Sequence, residues 1–263
     1  MFPTPPPAGY VMDPTGQALF TAILAAPCAA TILFALWHLV RRRQPLYLVF
    51  LVAGGLSVFA EPVVDVLGNC LFPIQGQWTA FETMGRPIPW LVVFAYPWFI
   101  GGQGYAAYRI LQARVRPSTL WKYWAATMIV DAIVIQTPGL SMGIHLYYGR
   151  QPLDVLGLPL WWLPVDSAAP LVMGLIFYRL LPHLPGRRVL ALIPLTSFCY
   201  GFTHAALSWP VWSTLQSTAP TLLINLAALA TFAMAALAVW AVTAAAGLTT
   251  PAVHPSAPPV PAS

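Results

Sequence analysis

The sequence predicts an all-α fold: a polytopic membrane bundle of seven transmembrane helices, with the N-terminus outside and the C-terminus inside. Three observations predict it. Hydrophobic side chains make up 59% of the chain and charged ones 7%, against about 25% charged residues in soluble domains. With 12 basic and 7 acidic residues, the chain cannot cover the surface of a water-soluble globule of its length. A mean hydropathy of +0.72 equally excludes a disordered chain, despite the 28 prolines. Second, apolar runs of about 20 residues, the length needed to cross a bilayer, recur along the sequence. Third, the basic residues gather at alternate ends of those runs.

Residues 1–16, opening with Met1, Phe2, Pro3 and Thr4 and then three prolines, lack a basic stretch. No small-residue cleavage site follows the next apolar run, so this segment reads as an extracytoplasmic Pro-rich tail rather than a signal peptide. The first span runs from Gln17 to Val40 and ends at Arg41, Arg42 and Arg43. The second runs from Leu46 to about Leu67 and stops at Gly68. The third is Ile88–Leu111, the fourth Thr119–Pro138, the fifth Pro159–Leu181, the sixth Val189–Ser208 and the seventh Thr221–Gly247. Together they form one transmembrane domain over 17–247. The Pro- and Ala-rich stretch 248–263 reads as a disordered cytoplasmic tail.

Arg41, Arg42, Arg43, Arg109, Arg114, Arg116, Lys122, Arg179, Arg187 and Arg188 fall on one side of this arrangement, and only Arg86 and Arg150 on the other. Positive charge marks the cytoplasmic side, which sets the orientation and the expected location, a multi-pass protein of a bacterial inner membrane. The net charge of +5 is thereby a topology signal, and no nucleic-acid partner is expected. The Arg, Ala and Pro bias resembles that of a high-GC bacterial genome. Cys28, Cys70 and Cys199 have neither disulfide nor metal spacing. The histidines are scattered, no phosphate-loop or zinc motif is present, and the last span has no lysine for a retinal Schiff base. No metal and no cofactor is expected.

The acidic residues say more. Asp13, Glu82 and Asp154 fall in outer segments, and the other four within spans. At 1.5 Å per residue, Glu61 lies roughly 22 Å and Asp65 roughly 28 Å from the inner end of the second helix, and Asp131 roughly 18 Å along the fourth. Asp166 enters roughly 10 Å from the outer end of the fifth helix, and His204 of the sixth reaches a similar level. Carboxyls at such depth cost several kcal/mol unless they face the bundle interior, pair or meet water. A shared polar chamber that opens outward accounts for all of them. Glu61 and Asp65 lie one turn apart on one helix face, and two carboxyls that close do not both ionise easily. The pair therefore holds a proton and is a Brønsted acid, with Pro62 between them removing a backbone hydrogen bond.

Aromatic residues are dense at this level. Trp90, Trp161 and Trp162 fit the belt of aromatic side chains at membrane interfaces. Tyr96, Trp98, Phe99 and Tyr200 lie deeper, where ring faces can shield positive charge; Phe94 and Phe202 fall nearby. Gln103, Gln136 and Asn225 are polar groups inside spans that either bind substrate or bridge helices. The long segment Gly68–Pro87 is a candidate lid. The tetrapeptide Asp-Val-Leu-Gly occurs twice, at Asp65 and at Asp154, and both copies fall on the outer side, so it is no inverted repeat.

Three classes fit these features: an acid–base enzyme on a lipophilic substrate, a proton-coupled small-molecule transporter, and an accessory membrane subunit. Seven short-looped helices, a glutamate in the outer half of the second and further aspartates later in the chain resemble the membrane-integral terpene cyclases of fungal meroterpenoid pathways and their bacterial relatives. The resemblance implies cofactor-free cyclisation of a lipophilic prenyl or terpenoid substrate, started by protonation of an epoxide or alkene, with Glu61 as the acid by position. That family places a second acid late in the chain, whereas no Asp or Glu follows Asp166 here; the second group must be Asp65, Asp131, Asp166 or His204. The chain also resembles the avermectin-type spirocyclases, which implies a spiroketal cyclase or isomerase acting on a lipophilic polyketide.

Overall fold

In a computed structural model, which describes residues 5–248, the chain is mostly helical, with three short strand pairs at one end. The expected tail over 249–263 lies outside the described residues. Four helices are long and apolar enough to cross a membrane: Pro14–Arg42, Leu46–Gly68, Trp162–His183 and Thr221–Ala245. A fifth arises when Gly186–Thr196 and Cys199–Leu215, bent by 41° at a short break, count as one span. These are the helices of a membrane-embedded protein. Two more helical runs, over 90–112 and 117–141, occupy the expected third and fourth positions. They carry Gln103, Asp131, Gln136, prolines and glycines, and are less apolar.

The first helix begins at Pro14, three residues before the expected start. The Asp13 side chain accepts from Gly16 N at 2.5 Å, and proline fits the first turn because its missing N–H has no partner there. Arg41 and Arg42 in the last turn complement the negative end of the helix dipole. The outward faces of the first and last helices are apolar, with Leu33, Phe34, Trp37, Leu222, Leu226 and Trp240 exposed, as lipid contact requires.

Proline and glycine shape the helices around the site. Pro62 has no N–H to give, and the turn before it, Ser57–Ala60, tightens to a 3₁₀ helix. Pro97 opens a π-helical turn, Pro97–Gly102. Asp131–Gln136 forms a second π turn, a feature common at functional sites. The second and third helices cross backbone against backbone: a Cβ on Gly54 would lie 2.2 Å from Gly101 N, and one on Gly101 would lie 2.4 Å from Phe50 O.

The segments joining the helices at the N-terminal end fold into a cap. Cys70–Leu71 pairs with Leu146–Tyr147, Thr79–Thr83 with Arg86–Pro89, and Asp154–Val155 with Leu158–Pro159, each antiparallel. The candidate lid over 68–87 is thus stitched into strand pairs. Gln17 ties it to the first helix, donating to Gly76 O at 3.0 Å and accepting from Trp78 N at 2.7 Å. Met12 N donates to Gln75 O at 2.8 Å, so the segment before the first helix belongs to the same cap. The two Asp-Val-Leu-Gly copies take unlike conformations, a helix end at Asp65 and a strand turn at Asp154.

Candidate functional site

Glu61 sits where the second helix changes from 3₁₀ to α geometry. Its carboxylate accepts a hydrogen bond from the Tyr96 hydroxyl, and Tyr96 is held at the last turn before Pro97. Asp65 is one turn further on and 1% exposed. It faces a different set of groups: it lies beside the Cys70 thiol and within reach of the Arg86 charge. Arg86 is itself buried, donating to the Tyr148 hydroxyl at 2.7 Å with its guanidinium 5.7 Å from that ring. A cation expected on the outer surface is thus folded in behind the carboxyls.

Asp166 has the most hydrogen-bond partners of the four buried carboxyls. Its Oδ1 accepts from the Tyr200 hydroxyl at 2.9 Å and lies 2.7 Å from His204 Nε2. Its Oδ2 lies 3.4 Å from Gln136 Nε2, which also reaches Asp131 Oδ1 at 3.3 Å. His204 Nδ1 has no partner among the described residues, which favours the neutral ring that donates through Nε2, since an imidazolium would bury an unpaired N–H. Asp131 is fully buried and its Oδ2 meets no N–H or O–H among the described residues. The Asp166 carboxyl lies in hydrogen-bonding reach of it. Two carboxylates offer only acceptors, so a bond between them needs one proton.

Glu61, Asp131 and Asp166 line one cavity. Tyr96, Tyr200, Gln136, Cys70, His145 and Tyr147 add polar groups, and Phe20, Leu24, Phe72, Leu91, Val92, Phe99, Ile135 and Trp162 supply apolar and aromatic walls. The arrangement can give a proton from one carboxyl, take one at another, and hold an apolar molecule between ring faces. Tyr96 and Tyr200 meet edge to face, with centroids 5.2 Å apart, and bring the Glu61 and Asp166 sides together.

Of the residues expected at the site, Glu61, Asp131, Asp166, Tyr96, Phe99 and Tyr200 line the cavity. Asp65 and His204 stand behind it. Trp98, Gln103 and Asn225 are placed elsewhere: the Trp98 indole donates to Leu24 O at 3.2 Å, the Gln103 side-chain oxygen is buried without a partner among the described residues, and Asn225 accepts from Leu153 N at 3.3 Å. Trp161 and Trp162 are 0% and 3% exposed, so neither sits in an interfacial belt; the cap covers them and Trp162 becomes a wall. Phe202 points outward, 61% exposed. Cys70, Phe72, His145 and Tyr147 come from the cap, where no hydrophobic period could have marked them.

His145 lies between helices, buried beside Gln136 and Phe72. Burial pushes its imidazole down from an ordinary 6.5 to about 4. The unfolded chain therefore takes up a proton below about 6.5 that the folded chain refuses until about 4, so this group makes stability fall as pH drops through that window. His145→Gln should flatten the fall in melting temperature across it, measured in detergent; an unchanged slope would show that His145 is not held neutral.

No protein-family profile, characterised protein or solved structure matches the chain. The site is therefore read from its own chemistry.

Proposed function

We propose that the protein is a membrane-embedded, cofactor-free cyclase that starts cyclisation of a lipophilic prenyl or terpenoid substrate by protonation from a buried carboxylic acid. One observation carries this reading: three carboxyls from three helices open into one cavity with aromatic walls. Glu61 is the acid. Its proton goes to an alkene carbon, where the π pair forms the new C–H bond, or to an epoxide oxygen, where a lone pair forms the O–H bond and the C–O bond breaks with its pair passing to oxygen. The cation left behind is attacked by a second alkene, closing a ring. The faces of Tyr96, Phe99, Trp162 and Tyr200 stabilise the positive charge as it moves. Loss of a proton to the Asp131–Asp166 pair restores a double bond, so the reaction consumes no redox equivalent and no net proton. Asp166, with donors from Tyr200, His204 and Gln136 around it, suits the accepting role.

In this reading the runs over 90–112 and 117–141 also cross the bilayer, giving seven spans. The cap faces outward and the arginine-rich ends face the cytoplasm of a bacterial inner membrane. The test is conversion by the purified protein in detergent, without any gradient, of a prenylated epoxide or polyene to a cyclic isomer of unchanged mass, followed by mass spectrometry. Proton-coupled uptake into vesicles with no product would overturn the cyclase in favour of a transporter. Conversion of an open-chain hydroxyketone to a spiroketal, with loss of water, would move the reading to a spirocyclase.

A further inference from the structure

Gln136 joins the carboxyl pair to the cap. Its Nε2 lies 3.3 Å from Asp131 Oδ1 and 3.4 Å from Asp166 Oδ2. Its Oε1 accepts the Tyr147 hydroxyl at 2.8 Å and lies 3.3 Å from His145 Nε2. A primary amide has two N–H hydrogens and one carbonyl oxygen with two lone pairs, and here every one of them has a partner. The opposite amide orientation would set its oxygen against two carboxyls and its hydrogens against a phenol and an imidazole. The donors of the cap thus decide which way the amide faces. Tyr147 belongs to the strand Leu146–Tyr147, paired with Cys70–Leu71, and His145 precedes that strand. The two residues also roof the cavity, as does Cys70.

We propose that Gln136 is a positioning residue through which the cap arms the carboxyl pair. With the cap seated, Tyr147 and His145 hold the amide oxygen, and the N–H₂ group spans Asp131 and Asp166. Without those two partners the amide is free to turn and the pair loses its bridge, so the proton acceptor is complete only while Tyr147 and His145 hold Gln136 in place. The consequence for turnover rests on the cyclase reading; the mechanical link does not.

The experiment is infrared spectroscopy of the full chain in detergent, which reads the C=O stretch of protonated carboxyls. Asp131→Asn and Asp166→Asn identify the band of the pair. Gln136→Leu removes the bridge and should shift that band. Tyr147→Phe removes one oxygen from the cap while its ring stays packed on Trp162, 4.9 Å away, and should shift the band in the same direction. Tyr96→Phe, which touches Glu61 instead, should leave it in place. A merely structural role for Tyr147 predicts the wild-type band in Tyr147→Phe, and that result would overturn the proposal, as would an unshifted band in Gln136→Leu. Should Gln136→Leu not fold, Tyr147→Phe decides alone. In an active preparation Tyr147→Phe should also lower turnover, by up to about 100-fold. A wild type that makes no product would sink the cyclase reading and leave the spectroscopic result standing.

Discussion

Glu61→Gln is expected to lower turnover by about 10²–10⁴-fold, the usual contribution of a positioned general acid, while the protein still inserts and stays folded. Glutamine has the shape of glutamate, and its amide oxygen can still accept the Tyr96 hydroxyl that Glu61 accepts now. What it cannot do is give up a proton. Glu61→Ala would be a poorer experiment, because it enlarges the cavity and orphans the Tyr96 hydroxyl as well. Asp65→Asn is the informative companion. Asp65 shares the helix face in sequence terms, but it lies behind the cavity beside Cys70 and Arg86. It should therefore retain more activity than Glu61→Gln. With a polyene substrate in heavy water the wild-type product should carry one non-exchanging deuterium at the carbon that was protonated. Full turnover by Glu61→Gln, with gel filtration showing intact protein, would assign the acid elsewhere.

The contrast between these two carboxyls shows what the sequence carries and what it does not. Spacing placed both on one face of a helix, which is right to within a turn. It could not show that the helix tightens at Ser57–Ala60, nor that the next turn meets a strand from the cap. Depth counting likewise brought Asp131, Asp166 and His204 to one level, because the rise of a helix is fixed whatever surrounds it. The bond between Gln136 and Asp131 was illegible for the opposite reason. Residues five apart in a regular α-helix point about 140° away from each other, and only the π turn Asp131–Gln136 brings them within reach. The cap was the largest omission. Cys70 and Tyr147 are paired across 77 residues of sequence, and neither strand is long enough to show an alternating pattern. Trp161 and Trp162 illustrate the cost: by composition they resemble an interfacial belt, and only the cap above them buries both and makes Trp162 a wall of the cavity.

The second large effect concerns the fold that holds Glu61 against Tyr96. Gly54 and Gly101 bring the second and third helices together at backbone distance, as small residues do in membrane bundles. A methyl group on Gly101 would sit 2.4 Å from Phe50 O and 2.9 Å from Leu51 Cα. Both are backbone atoms, so no rotamer change can make room and the two helices must separate. Overpacking costs about 1–3 kcal/mol where side chains can shift, and a backbone clash belongs at or above the top of that range. Gly102 is the control, since a Cβ there would first meet the Tyr47 hydroxyl at 3.5 Å, an ordinary contact. Gly101→Ala should melt well below Gly102→Ala in detergent and yield less monodisperse protein. It should also lose activity out of proportion to the folded fraction, because the same two helices carry Glu61 and Tyr96 and any separation lengthens their hydrogen bond. Equal melting temperatures for the two variants would mean that the helices do not meet at this crossing. The placement of the acid beside its tyrosine would then have no structural support.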